Sequence, residues 1–196
     1  MKTEQTIMIR DEKEIKEALA ITEKLGADYG LEKKPVLHLR LLAEELFGIM
    51  RGIAGDTAAE FKAVAEDKNF ELHLKSEVKM TDEMREKFIS TSSSKKNSAA
   101  KGFTGKIRVF AANTFLSIKE MAPYAMMNTV SAYAGDTASV WTMSEYRNEV
   151  LKNIDKSKEA TEAWDELEKS VVAKIADDIK VSIIGRNVEI IIYKTF

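Results

Sequence analysis

Residues 35–56 read PVLHLRLLAEELFGIMRGIAGD. At helical spacing Leu39, Leu42, Leu46, Ile49 or Met50 and Ile53 form one continuous apolar stripe, so the stretch is predicted to be a long amphipathic helix. Pro35 suits the first turn, where its missing N–H is not needed, and Gly52 and Gly55 suit the exit. Two adjacent acids, Glu44 and Glu45, stand in the middle. Either they decorate a solvated face, or one of them borders a ligand pocket beside the core.

The flanks tell the two apart only in part. On the N-terminal side, residues 3–9 (TEQTIMI) read as a short strand with Ile7 and Ile9 pointing one way. Asp11 and Glu14 have the spacing of a capping box. They head a helix with the stripe Ile15, Ala18, Leu19, Thr22 and Leu25, which Gly26 and Gly30 are expected to end. After Asp56 the period changes to two. Residues 58–67 (AAEFKAVAED) and 69–78 (NFELHLKSEV) are predicted strands joined at Asp67-Lys68, with Phe70, Leu72, Leu74 and Val78 facing a core. His73 falls on the polar side of that strand and His38 at the start of the long helix. Both are isolated, which argues against a histidine-built metal site.

Residues 80–89 suit one or two helical turns, capped by Thr81 or Asp82. Residues 90–106 (STSSSKKNSAAKGFTGK) are the most polar, small-residue-rich stretch and read as a loop. It closes on Gly102-Phe103-Thr104-Gly105 ahead of a helix starting at Lys106. Glycines before a helix N-terminus make either a plain turn or a site whose backbone N–H groups face an anion. From about 121 to 178 the chain reads as helical. It begins with a Met- and Ala-rich segment suited to packing or an adaptable contact surface, and ends in a long helix over 155–178. That helix has the stripe Ala160, Trp164, Leu167, Val171 and Ile175, and a solvated face with Lys156, Lys158, Glu162, Glu166 and Lys169. The last segment is a hairpin, 180–184 and 188–193, turning at Gly185-Arg186-Asn187. One α+β domain follows over 1–196: a two-layer sandwich with a mixed, mostly antiparallel sheet, helices on one face, and a helical insertion before the final hairpin.

Hydrophobic residues make up 44% and charged residues 32%, the balance of an ordinary globular chain. A net charge of -2 with interspersed signs argues against a nucleic-acid surface. No apolar run approaches the roughly 20 residues that span a bilayer, and residues 1–14 lack a signal-peptide pattern. Cysteine is absent, which removes disulfides, thiolate nucleophiles and Cys-held zinc. A cytoplasmic location is the expectation.

With these residues in view, the chain from Asp11 to Asp56 resembles the N-terminal half of the histidine-kinase/Hsp90-like ATPase domain. Within that family it looks most like the anti-sigma-factor serine kinases and related small ATP-binding proteins. LHLRLLAEELFGIM (37–50) follows the family helix L-x-L-A-x-E-E-L-x-x-N in its apolar residues and its Glu pair. The resemblance implies a site for ATP. Glu44 or Glu45 would act as the catalytic base or water-positioner, and Gly102, Thr104, Gly105 and Lys106 would lie at the phosphates, with Lys95, Lys96 and Lys101 adding charge. If active, the protein would be an ATPase or serine protein kinase. Its implied partner is a sigma factor or other regulator, or a second copy of itself.

Two departures bear on activity. The asparagine that holds Mg²⁺ in the family falls on Gly48 or Ile49, and neither side chain offers the oxygen that Mg²⁺ demands. The adenine box should follow the strand ending near Lys75. There the chain reads Ser76-Glu77-Val78-Lys79-Met80, without the family aspartate or its glycines. The expectation is therefore a regulatory protein whose fold outlives its catalysis. The alternatives are a non-catalytic protein-interaction module using residues 121–154, and a sensor of another small ligand.

Overall fold

The computed structural model describes residues 2–79, 81–93, 102–125 and 138–196. Among the described residues six strands form one sheet: β1 (Lys2–Ile9), β2 (Ala59–Glu66), β3 (Asn69–Glu77), β4 (Ser139–Thr142), β5 (Asp178–Ile184) and β6 (Asn187–Thr195). Their order is β1-β2-β3-β6-β5-β4, and every neighbouring pair is antiparallel. The expected α+β class holds, with a sheet that is antiparallel throughout rather than mixed.

The register explains why one face is covered. Phe61 pairs with Leu74, Leu74 with Ile190 and Ile190 with Val181, so a row of buried apolar side chains runs across four strands. The neighbouring row, Lys62–His73–Ile191–Lys180, stands on the opposite face. There His73 lies between Glu71 Oε2, 2.9 Å away, and Glu189 Oε1, 3.4 Å away.

Two long helices lie on the apolar face. α1 (Glu12–Asp28) is capped by Asp11, whose Oδ1 accepts from the N–H groups of Lys13 and Glu14; Glu14 reaches back past the cap and accepts from the N–H of Arg10 rather than of Asp11. Gly26 does not end this helix. It is buried within it, where an added Cβ would stand 3.0 Å from Leu39 Cδ1, so the missing side chain lets the next helix approach. Gly30, at φ 74°, turns the chain afterwards. α2 (Lys33–Ala54) is the helix read from residues 35–56, and Leu39, Leu42, Leu46, Ile49 and Ile53 are all at most 1% exposed.

Beyond β3 the outlines change. α3 (Asp82–Ser93) is longer than expected, and α4 (Phe103–Ala125) begins three residues early because Phe103 is itself buried. Gly105 thus lies in the first turn of α4, not ahead of it. Residues 94–101, including Lys95, Lys96 and Lys101, and most of the Met-rich segment (126–137) lie outside the described residues. The stretch read as wholly helical contains β4, then α5 (Met143–Asn153), α6 (Lys158–Lys169) and α7 (Val171–Ile175). The single long helix is broken at Ser170, whose hydroxyl accepts from Ala173 N–H as the cap of α7. The break changes the helical phase: Val171 is 52% exposed, and Val172 and Ala173 are buried in its place.

Candidate functional site

Neighbouring residues on a helix point about 100° apart, and α2 uses that angle to give Glu44 and Glu45 different surroundings. Glu44 is exposed and accepts from Arg40 Nε at 2.9 Å, while Arg40 also bonds Glu23 on α1 at 2.9 Å. These bonds, Glu23's first, raise the Arg40 pKa further above its usual value. Glu44 therefore belongs to a three-residue surface ion cluster between α1 and α2.

Glu45 is half-buried and faces the other way, into an open cleft of about 340 Å³. Across that cleft stand Gly102 and Thr104 at the head of α4, and Lys169 and Ser170 at the α6–α7 break. Three segments widely separated in sequence thus meet at one opening. Phe103 anchors the head of α4 in an aromatic cluster, with its ring 5.9 Å from Trp141 and 6.4 Å from Tyr146. Gly102, at φ 77°, supplies the turn into the helix.

Lys106 is one turn further along α4 and is paired at the wall of the same cleft: its Nζ lies 3.7 Å from Oε2 of Glu166 on α6, a second carboxylate that lines the opening. That oxygen is buried and has no hydrogen-bond partner among the described residues. Its charge acts on Tyr146, whose phenol is pushed up to about 12, first by burial and then by Glu166. Sequence reading placed Glu166 on a solvated face. The clue it passed over was the position of Glu166 beside Leu167 and three residues after Ala163, at the edge of the apolar stripe.

The two positions that stand in for a metal-holding asparagine are equally well defined. Counted from Glu45, the position is Ile49, 1% exposed in the apolar core. Counted from Glu44, it is Gly48, exposed and with open space where a side chain would be. Among the described residues, no group of three His, Asp or Glu side chains is placed to hold a metal ion. The end of β3 and the residue after it are also engaged. Ser76 Oγ bonds Ala58 O at 2.9 Å and lies 2.8 Å from Thr57 Oγ1. Glu77 pairs with Arg186 at 2.8 Å, and Val78 is 0% exposed in the core.

No protein-family model and no curated protein sequence matches this chain. The chemistry of the cleft rests on its own residues: one carboxylate without an ion pair among the described residues, a hydroxyl at a helix N-terminus, and a lysine on the facing wall.

Proposed function

We propose that this chain is a regulatory protein of the histidine-kinase/Hsp90-like ATPase type that binds ATP-class ligands weakly and does not turn them over. The observation that carries the reading is the meeting of Glu45 with Gly102 and Thr104 across one cleft, the pairing that the resemblance requires of an acid and a phosphate-side helix. The N-terminus of α4 favours an anion through its unpaired N–H groups and its dipole. Turnover needs more. Ile49 offers no oxygen to Mg²⁺, and Lys106 spends its charge on Glu166, so negative charge developing on a transferred phosphoryl group has little to neutralise it.

Calorimetric titration with ATP and ADP, each with and without Mg²⁺, tests this. A weak heat that Mg²⁺ does not strengthen is expected, with no phosphate released and with binding reduced by Lys169→Ala. No heat at millimolar nucleotide would overturn it, as would Mg²⁺-dependent hydrolysis lost in Glu45→Ala.

A second reading, a non-catalytic interaction module, is favoured by a groove of about 520 Å³ along the outer strand β4 and α5. Trp141, Tyr146 and Lys152 line it, and Val140 and Leu151 are each more than 40% exposed nearby. Under this reading, Val140→Asp with Leu151→Asp abolishes association with a protein partner or a second copy and leaves nucleotide titration unchanged.

A further inference from the structure

A second cavity, of about 430 Å³, opens where the end of β1, the first turn of α1 and the last turns of α2 converge. Its size falls in the range of about 300–1,000 Å³ usual for small-molecule sites. The floor is apolar: Ile9, Ile15, Phe47, Met50 and Leu74. The mouth is charged, and the partners of its charges decide what it can take.

Arg51 gives Nε to Asp56 at 3.0 Å, and Arg10 gives one terminal nitrogen to Glu14 at 3.0 Å. A guanidinium carries five N–H donors, so each arginine can keep its carboxylate and still offer donors to a ligand. The acids of the mouth are partly engaged as well: Asp56 accepts from Arg51, and Asp11 accepts two backbone N–H bonds at the head of α1, in each case through Oδ1. Only Glu12, in the first turn of α1, faces the cavity without a hydrogen bond or ion pair among the described residues.

We infer that this cavity binds an amphipathic monocarboxylate, its hydrocarbon part on the Phe47–Met50 floor and its carboxylate on Arg10 and Arg51. Arginine suits the role because its planar fork matches a carboxylate. Glu12 opposes the ligand and limits affinity. The inference does not rest on the reading of the Glu45 cleft.

Calorimetric titration of the full chain with octanoate, octylamine and octanol tests it, since these probes share a chain and differ in head group. Octanoate should bind at least tenfold tighter than the other two. Arg10→Gln with Arg51→Gln should erase that preference, and Glu12→Gln should tighten octanoate alone. Both arginine side chains are more than half exposed, so the variants should fold, which circular dichroism checks. Ile15→Trp, which plugs the wall, should weaken all three probes, and saturating ATP should leave octanoate binding unchanged. Equal affinity for octylamine and octanoate, octanoate binding that survives loss of both arginines, or no binding at all would each overturn the inference.

Discussion

An added Cβ at Gly52 would stand 2.3 Å from Nε of Arg108 and 2.8 Å from its Cζ, so the arginine of α4 occupies the space a side chain on α2 would fill. Helix propensity alone favours Gly→Ala by about 1 kcal/mol, and this contact opposes the gain. Gly52→Ala should therefore stabilise the chain more in an Arg108→Ala background than in the parent. A double-mutant cycle by urea unfolding should give a coupling of about 1 kcal/mol, and additivity within about 0.3 kcal/mol would show that the contact does not hold. Tyr146 makes a pH prediction. Its phenol is pushed up to about 12 in the folded chain, against about 10 when unfolded. Between those values the folded state holds a proton that the unfolded state has lost, so stability falls as pH rises from about 10 to about 12. Tyr146→Phe should make that fall shallower; Tyr193, also raised by burial and by Glu71, Asp178 and Glu189, adds a component of the same sign that this variant leaves in place. None of this was legible in the sequence. The Glu pair was, but only as a pair: the buried stripe of α2 fixes which way each points, and whether a cleft lies there depends on the head of α4 and the α6–α7 break, which are distant in sequence.

Elements were legible where one periodicity ran long enough. α2 and the β2–β3 hairpin follow their patterns, the hairpin turning at Asp67 with φ 56°. β4 was missed because Ser139–Thr142 is four residues long, too short for an alternation to stand out between helical flanks. The break at Ser170 was missed for another reason: the apolar spacing from Ala160 to Ile175 fits an unbroken helix, and only the cap reveals two. Ser170 both follows α6 and caps α7, and it also lines the Glu45 cleft. Ser170→Ala should cost about 1 kcal/mol and lower Tm by about 2–4 °C in a chain of this size, measurable by calorimetry. No change in Tm would mean that the α7 cap contributes nothing.

At the scale of the whole molecule the sheet is strongest at its middle and thinnest at β4. Ile190, 0% exposed on the central strand β6, should cost about 2–5 kcal/mol when changed to Ala. Val140→Ala at the outer strand, 45% exposed, should stay within about 0.5 kcal/mol. Urea unfolding of the two variants checks the gradient, and equal costs would contradict it. The two-layer architecture was legible because its rows of apolar residues alternate in strands and recur every three or four residues in helices. Strand order was not, because pairing across long separations leaves no local signature. That order has a kinetic side. Bonds between β3 and β6 join residues as far apart as Asn69 and Thr195, separated by 126 positions. The β2–β3 hairpin can pair locally long before β6 arrives, and meanwhile β3 presents an open rim beside Phe70, Leu72 and Leu74. Long-range closure of this kind slows folding and leaves a sticky intermediate, so a refolding chain of this protein is most vulnerable to self-association in the interval before its last hairpin inserts.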